Sequence, residues 1–147
     1  MSLEGLTPEE RGRYARHLML PELGVEGQER LKQSAVLCVG AGGLGSSLLL
    51  YLAAAGVGRI GIVDGDLVEV SNLQRQVIHG TGSLGGSKAI SAANRIADLN
   101  PLCQVEVHEH MLDSHNALDL IGSYDLVCDG SDNFPTRFLV NDACVLK

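Results

Sequence analysis

Four glycines with regular spacing are the residues of this chain best suited to bind an anion. Gly40, Gly42, Gly43 and Gly45 follow a short apolar run and open a long apolar segment. In the G-x-G-x-x-G pattern the first glycine permits a tight turn, the second lets a phosphate approach the backbone, and the last lets helix and strand pack closely. The pattern predicts a nucleotide-binding turn at a helix N-terminus. The alternative is a turn that serves packing alone.

An acidic residue and the absence of a P-loop lysine indicate how a nucleotide would be bound. Asp64 follows Gly45 by about 20 residues, the spacing at which an acid accepts hydrogen bonds from ribose hydroxyls in such a unit. The segment 40–47 also has the outline of a P-loop, but Ser46 occupies the position of the phosphate-binding lysine. A cation for a triphosphate must therefore come from elsewhere in the chain.

Two cations follow Asp64 on the side where ligands of open α/β sheets bind. Lys88 is the only lysine between Gln33 and Leu146, and Arg75 lies in an irregular stretch after the second apolar run. An ammonium and a planar guanidinium at these positions can neutralise phosphates that a glycine turn holds only in part. The alternative is that each is a solvated surface cation.

Carboxylates after the last apolar run are candidates for a magnesium site. Asp129 and Asp132 are separated by a glycine and a serine, and one carboxylate with waters is a usual way to hold Mg²⁺ beside phosphates. The alternative for Asp132 is to cap the last helix. Three histidines nearby have no acidic or thiol partner at metal-binding spacing, so we interpret them as solvent-facing: His108, His110 and His115.

Apolar periodicity predicts the elements that position these groups. Strands are predicted at 35–39, at a run ending on Asp64, at 104–108 and at 125–129. Helices are predicted at 9–18, 25–32, a segment closing at Gly56, 84–99, 114–121 and 133–147, with Asp132 as the cap of the last. Alternating strands and helices favour a parallel sheet. We expect an α/β fold, a three-layer αβα Rossmann-like parallel sheet of order 3-2-1-4, preceded by N-terminal helices.

The N-terminal arm, residues 1–33, precedes an expected nucleotide-binding α/β domain at 34–147. Thr7, Pro8 and Glu10 form a strong helix start, since they combine a capping box with proline at the first helical position. The helix that follows carries three arginines, the last of them Arg16. Such a charge run is usually a solvated face, and the alternative is an arm that reaches an anionic ligand or a partner.

Composition excludes several classes of partner. The formal net charge of −7 argues against nucleic acid, and no run of 18 apolar residues suggests a membrane span. The cysteines fall in apolar patterns without CxxC spacing, so we expect buried reduced thiols, no zinc site in this chain and a cytoplasmic location. They are Cys38, Cys103, Cys128 and Cys144.

The motifs together resemble one family, the adenylation domains of the MoeB/ThiF group and of ubiquitin-activating enzymes. The resemblance rests on the glycine turn, on Asp64 and Asp66, on Lys88, and on Asp132 followed by Asn133. Its most specific part is a run of six residues: Ser71, Asn72, Leu73, Gln74, Arg75 and Gln76. It covers nearly the whole chain in order and is closest to the molybdopterin-synthase adenylyltransferase/sulfurtransferase type.

The resemblance implies an ATP-dependent adenylyltransferase that activates the C-terminal carboxylate of a ubiquitin-like sulfur-carrier protein. It implies that Gly43 lies against the nucleotide, that Asp64 holds the ribose, and that residues 71–75 with Lys88 contact the phosphates. Asp132 with Asn133 would serve Mg²⁺ and the adenosine, and Arg16 would reach the neighbouring subunit of a homodimer.

Two other functions remain open on the residues alone. The glycine turn and Asp64 suit an NAD-dependent oxidoreductase domain equally well, and a non-catalytic subunit of a heterodimeric activating enzyme would keep the same fold. Arg75 and Lys88 favour the adenylyltransferase, because a dinucleotide pyrophosphate is held by a helix N-terminus without them. Family members continue for about as many residues again, so we expect this chain to be the nucleotide-binding half.

Overall fold

The computed structural model describes residues 5–147, so the first four residues of the predicted arm lie outside the described residues. Four strands form the sheet: β1 (Ala35–Val39), β2 (Arg59–Val63), β3 (Gln104–His108) and β4 (Leu126–Asp129). The helices are α1 (Pro8–Arg13), α2 (Ala15–Leu18), α3 (Gly24–Gln33), α4 (Gly43–Ala55), α5 (Lys88–Leu99), α6 (Ala117–Ile121) and α7 (Phe134–Leu146).

The sheet confirms the predicted topology. All three strand pairs are parallel, and the strand order is β3-β2-β1-β4. Val36 pairs with Ile60 on one side and with Leu126 on the other. β1 is therefore central, and all five of its residues are buried, as expected of a strand covered on both faces.

Two apolar cores separate the helices into layers. Alternate residues of β1 point to opposite faces: Cys38 packs with residues of α4 and α5, and Leu37 packs with residues of α6 and α7. This gives the expected three layers, with one helix pair on each side of the sheet. All four strands end at the same edge, so the loops that follow them converge there.

The N-terminal arm is interrupted where one helix was predicted. Thr7 and Glu10 form the expected capping box, but the helix stops at Tyr14, which separates α1 from α2. The Tyr14 side chain is buried, and its hydroxyl is 2.8 Å from Nδ2 of Asn100. Because this long-range contact fixes the ring, local helix propensity does not decide the backbone at this residue.

Further boundaries differ from the prediction, and α6 begins at Ala117 rather than at residue 114. α5 begins at Lys88 rather than at residue 84, because Ser87 accepts the capping hydrogen bond from Ile90 N at 3.3 Å. α7 is capped by Asn133, whose Oδ1 accepts from Thr136 N at 3.0 Å. The prediction of Asp132 as the cap was therefore wrong by one residue, and its carboxylate is not used for capping.

Candidate functional site

A cleft of about 440 Å³ opens at the carboxyl edge of the sheet. Its walls include Val39 at the end of β1, Asp64 after β2, and Gly130 after β4. Successive crossovers from β1 lead to β2 and β3 on one side, while β4 lies on the other, so the strand order reverses between β1 and β4. Open α/β sheets bind their ligands at such a switch point, and the volume suits a small-molecule ligand.

The glycine turn has the geometry that its sequence predicts. Gly40 adopts φ +94°, a conformation that favours glycine. A Cβ on Gly45 would overlap the carbonyl oxygen of Gly40, so any larger residue would push α4 off the turn. Gly42 and Gly43 line the cleft, and within residues 5–147 their backbone N–H groups donate to no protein acceptor. The start of α4 therefore offers free donors to an anion.

Asp64 holds the turn in place. Its Oδ2 accepts a hydrogen bond from Ala41 N at 2.8 Å, and its Oδ1 accepts from Asp66 N at 2.8 Å. A carboxylate has about four lone-pair sites, so two such bonds leave acceptor capacity toward the cleft. Asp64 lines that cleft and is half-buried, and it can accept further hydrogen bonds from a ligand's hydroxyls.

Lys88 reaches the cleft from the first turn of α5. The residue is only 7% exposed, and its ammonium lies 3.8 Å from the Asp66 carboxylate. That distance describes an ion pair rather than a hydrogen bond, and no residue in the described part of the chain hydrogen-bonds the ammonium. Buried lysines normally have a close partner. The ammonium is therefore available to an anionic ligand.

Two guanidinium groups stand at the same cleft. The Arg75 stem lies over the glycine turn, 3.8 Å from the position of a Cβ on Gly43, and its Nη1 donates to Ser71 O at 3.2 Å. Arg137 donates through Nε and Nη2 to Ser131 O at 3.3 and 3.1 Å. Both groups retain free N–H donors, since each has five. Together with Lys88 they can neutralise several phosphate charges.

The carboxylates that follow β4 differ from one another. Oδ1 of Asp129 accepts from Ser131 N at 2.9 Å and from Ser131 Oγ at 2.6 Å. Asp132 is exposed at the cleft and has no hydrogen-bond partner among residues 5–147. A free carboxylate on a cleft with room for water fits the way Mg²⁺ is held beside phosphates.

Part of the cleft lining is apolar. Val39, Val63 and Leu112 are buried there beside the side chain of Met111. Met111 packs against Gly65, where an added Cβ would lie 3.0 Å from its sulfur. A cleft that combines apolar walls with cations and free N–H groups suits a ligand with a flat apolar base and an anionic tail.

Most predicted site residues come together, and several do not. The cleft is lined by Gly40, Gly42, Gly43, Asp64, Asp66, Arg75, Lys88, Asp132 and Asn133. Asn72 is buried, accepts from Glu69 N at 2.9 Å and lines only an adjoining recess. Outside both spaces lie Arg16, Gly45, Ser71, Leu73 and Gln74.

The predicted site did not include several residues that line the cleft, among them Arg137, His110 and Gln76. Arg137 and His110 belong to loops and helices whose approach to the cleft depends on tertiary packing. Gln76 is the last residue of the six-residue run 71–76. It is 5% exposed, and its Oε1 has no hydrogen-bond partner in the described residues. An unpartnered buried amide oxygen is uncommon. The amide lies beside the glycine turn, with its nitrogen 3.6 Å from the position of a Cβ on Gly42. The position of Gln76 in the run 71–76 was the sequence feature that could have identified it as a site residue.

The cysteines and histidines only partly follow their prediction. Cys38 and Cys103 are buried, and burial raises the pKa of their thiols to about 12 and about 11. Cys144 is exposed, so its interpretation as a buried thiol was wrong, because its apolar neighbours Val145 and Leu146 are exposed as well.

The predicted solvent-facing histidines divide in the same way. His110 and His115 are exposed as expected, whereas His108 is half-buried, with Nε2 3.3 Å from the Tyr124 hydroxyl. Burial lowers the pKa of His108.

Two further features are absent from residues 5–147. No three His, Cys, Asp or Glu side chains there are grouped as for a metal ion. None of the helices there is long and apolar enough to span a bilayer.

Sequence comparison adds curated relatives. The sequence model of the ThiF family matches residues 14–147. A probable adenylyltransferase/sulfurtransferase MoeZ of Mycobacterium tuberculosis is 62% identical over 141 residues, which are 96% of this chain and 36% of the relative. A sulfur carrier protein adenylyltransferase of Thermus thermophilus is 58% identical over 140 residues, 95% of this chain and 52% of the relative. The chain thus spans about a third to a half of these relatives.

Solved structures with the same fold include nucleotide complexes. E. coli tRNA N6-threonylcarbamoyladenosine dehydratase, TcdA, in complex with ATP superposes with a TM-score of 0.89 at 28% identity. The match covers 95% of this chain and 57% of that one. E. coli MccB with ATP gives a TM-score of 0.80 at 27% identity, over 91% of this chain and 41% of that one.

Proposed function

Because the chain belongs to the ThiF family, we propose that it is the nucleotide-binding part of an ATP-dependent adenylyltransferase. The proposed substrate is the C-terminal carboxylate of a ubiquitin-like sulfur-carrier protein, converted to an acyl-adenylate with release of pyrophosphate. Curated relatives are named adenylyltransferase/sulfurtransferase and sulfur carrier protein adenylyltransferase.

One observation carries the proposal: the cations converge on the free N–H groups of the glycine turn. The buried Lys88 ammonium lacks a hydrogen-bond partner in the described chain and faces the same cleft as Arg75 and Arg137. A dinucleotide pyrophosphate is held by the helix N-terminus with little further charge, whereas a triphosphate needs more cations. This charge supports ATP over NAD as the ligand.

The reaction needs positioning and charge neutralisation more than acid–base catalysis. A terminal carboxylate is ionised at pH 7 and attacks the α-phosphate without a general base. Its approach places further negative charge in the cleft. Lys88 and Arg75 would stabilise that charge as it develops, and the Gly42 and Gly43 N–H groups would orient the phosphates.

Other cleft residues would hold the nucleoside and the metal. Asp64 would accept hydrogen bonds from the ribose, and Asn133 would stand on the adenosine side. Asp132 would hold Mg²⁺, which when bound neutralises phosphate charge. Gly40 and Gly45 would contribute through the shape of the turn rather than by contact.

Residues 71–74 would act through Arg75. Arg75 N donates to Asn72 O at 3.2 Å, and the Arg75 side chain donates to Ser71 O. Leu73 and Gln74 complete the turn that carries the guanidinium, so this part of the motif would set where Arg75 meets the phosphates.

We further propose a homodimer in which Arg16 acts on the partner's nucleotide. Gln28 Nε2 donates to Ala55 O at 2.8 Å and so ties the arm to the last residue of α4. The glycine turn lies at the other end of this 13-residue helix, about 18 Å away along its axis. Arg16, exposed on the arm, therefore stands far from its own cleft. Leu44 and Tyr51 leave an apolar strip on the outer face of α4, 69% and 77% exposed, which suits a second copy.

The first experiment measures ATP and NAD binding by calorimetry and pyrophosphate exchange with candidate carriers. Wild type should bind Mg-ATP more tightly than NAD. Lys88→Ala should weaken ATP binding about 10- to 100-fold, as the loss of a hydrogen bond to a charged group does. Lys32→Ala removes a lysine whose ammonium is 3.0 Å from Glu10, away from the cleft, and serves as the charge-matched control. Tighter NAD binding, or full ATP affinity in Lys88→Ala, contradicts the proposal.

The second experiment tests Arg16 by subunit mixing in a full-length relative that carries the same residues. Arg16→Ala and Lys88→Ala should each abolish adenylation as homodimers. A heterodimer of the two contains one site with an intact Lys88 and a partner with an intact Arg16, so mixing should restore activity to one site. Heterodimers that form and stay inactive would place Arg16 on its own subunit's site or make it a surface charge.

The use of ATP and the reduced, buried thiols of Cys38 and Cys103 lead us to propose a cytoplasmic location.

A further inference from the structure

A buried histidine lies directly behind the glycine turn and outside the cleft. His79 is 6% exposed. Its Nε2 is 2.8 Å from Ala41 O, and its Nδ1 is 2.8 Å from Ser91 Oγ. The ring thus joins the glycine turn to α5, two elements far apart in sequence. None of the roles proposed above uses it.

The two contacts define the form of the ring. A backbone carbonyl can only accept, so the hydrogen is on Nε2 and the ring donates to Ala41 O. In the neutral ring Nδ1 is then an acceptor, and it receives the Ser91 hydroxyl. Burial is the main cause that lowers the pKa of His79; the hydrogen bond to Ala41 O and the charge of Asp64 act in the opposite direction, and the Lys88 charge on α5 lowers the pKa further. The neutral form with hydrogen on Nε2 is therefore the one that this site stabilises.

The hydrogen bond to Ala41 fixes a peptide plane that belongs to the cleft. A peptide bond is planar and trans, so its C=O and N–H point in opposite directions. With Ala41 O directed at His79, the N–H of Gly42 is directed away from the ring. Gly42 lines the cleft, whereas His79 does not. The ring therefore holds Gly42 N–H toward the space in which an anion would lie.

The preceding peptide plane is fixed in the same manner from the other side. Ala41 N donates to Asp64 at 2.8 Å, and the carbonyl oxygen of Gly40 correspondingly faces Gly45 and Gly130. Asp64 and His79 thus each hydrogen-bond one of the two successive peptides that meet at Ala41. The family resemblance assigned a role to Asp64, and His79 fixes the other peptide in the same way.

We propose that His79 is a positioning residue for phosphate binding, which aims the Gly42 N–H at the anion by donating Nε2–H to Ala41 O. The inference rests on the proposed binding of a nucleotide at this cleft. It requires only a ligand with phosphates and does not depend on which nucleotide is bound. If His79 merely filled space, its loss would weaken all ligands or none.

The test compares ligands that differ in phosphate content, by calorimetry or displacement: inorganic tripolyphosphate, ATP and adenosine. His79→Leu keeps an apolar bulk and removes the donor. It should lower the affinity for ATP and for tripolyphosphate about tenfold or more, as the loss of one hydrogen bond to a charged group does. The affinity for adenosine should stay within about twofold of wild type. His79→Gln, whose amide N–H can reach Ala41 O, should restore most of the ATP affinity.

Ser91→Ala is the matched control, because it removes the other hydrogen bond of the ring and leaves Nε2–H in place. We expect its ATP affinity to stay within about twofold of wild type. If His79→Leu does not fold, His79→Asn tests the same point, since its amide is too short to reach Ala41 O. Equal weakening of ATP and adenosine, unchanged ATP binding in His79→Leu or His79→Asn, or no rescue by glutamine overturns the inference.

Failure of the proposed function gives a different result. A wild-type chain that binds NAD more tightly than ATP contradicts the proposed adenylyltransferase. The His79→Leu and His79→Asn variants would still bind tripolyphosphate more weakly than wild type and bind adenosine equally well.

Discussion

The two ends of α4 are built in opposite ways. At its N-terminus, Gly42 and Gly43 leave backbone donors without acceptors in the described chain, and both residues line the cleft. At its C-terminus, Asn100 Nδ2 donates to Ala53 O at 2.7 Å and Gln28 Nε2 donates to Ala55 O at 2.8 Å. The N-terminal end of α4, whose N–H donors are free for a ligand, is the open end. The C-terminal end, whose carbonyl oxygens accept hydrogen bonds from protein side chains, is the closed end, and these bonds contribute stability.

The closed end depends on a glycine for a different reason than the open end. Gly56 adopts φ +92°, and a Cβ there would lie 2.5 Å from Gln28 Nε2 and 2.6 Å from the Tyr14 ring. At the open end, a Cβ on Gly43 would meet only the Arg75 stem, at 3.8 Å. Glycine is required for packing and backbone conformation at one end, and for access at the other. Substitutions at the two ends should therefore affect different measurements.

The largest expected effect is that of Gly56→Ala. A left-handed backbone and overlap with two buried side chains should together lower the free energy of unfolding by about 3 kcal/mol. Urea denaturation of the variant and the wild type measures this difference. The ATP affinity of the folded fraction should be unchanged. A variant as stable as wild type would contradict the prediction, because it would mean that the side chains around Gly56 move aside at no cost in free energy.

Asn100→Ala should have the next largest effect. The substitution removes the donor to Ala53 O and the partner of the Tyr14 hydroxyl in a site with 0% exposure. We expect a loss of about 2 kcal/mol in the free energy of unfolding, as for buried groups left unsatisfied. Denaturation followed by calorimetry separates the two ends. Weaker ATP binding without a loss of stability would contradict the comparison.

Gly43→Ala should act in the reverse sense. Alanine favours a helix over glycine, and the space at this position is open, so the free energy of unfolding should rise by about 0.5–1 kcal/mol. The added methyl would stand between the helix N-terminus and the phosphates, and ATP affinity should fall. Thermal denaturation with and without ATP checks both parts. Tighter ATP binding would show that the nucleotide does not approach Gly43.

The smallest effect is a pH dependence that originates behind the open end. Burial lowers the pKa of His79 below its ordinary value of 6.5, so the neutral ring contributes stability that is fully present above pH 6.5. That contribution should be lost as the pH falls through the lower, folded-state pKa. The charge of Lys88 opposes protonation of the ring, and the charge of Asp64 and the hydrogen bond to Ala41 O favour it. The free energy of unfolding of wild type minus that of His79→Gln, measured from pH 8 downward, should decrease below pH 6.5. A constant difference would contradict a titrating His79.

The sequence predicts the open end far better than the closed one. The glycine turn, Asp64 and the strand order follow from contiguous periodicity and local spacing. The contacts of the closed end join residues 27, 47 and 86 positions apart, and no local pattern encodes them. The same reason explains the misplaced boundary at Tyr14, where a distant asparagine overrides helix propensity.

Within the site, sequence identified charges more reliably than the residues that orient them. Lys88 and Arg75 were found because cations are few in this chain and triphosphates need them. His79 and Gln76 were missed because a buried polar side chain beside apolar neighbours resembles a core position. Only the direction of the Ala41 carbonyl, which is a property of the folded backbone, shows what His79 holds.

The hydrogen bond between Tyr14 and Asn100 also sets an order of assembly. Its partners are 86 residues apart, so forming it closes a long stretch of flexible chain, and the entropy of that closure opposes it until most of the chain is in place. The segment from β1 to β2 needs only short closures, and local contacts form fastest. We therefore expect the glycine turn to form early and the Tyr14 hydroxyl to find Asn100 late. Gln28 can tie the arm to α4 through a closure of only 27 residues, so a chain still emerging from synthesis would have its phosphate-binding turn, and an arm held at α4, before the Tyr14 ring was fixed.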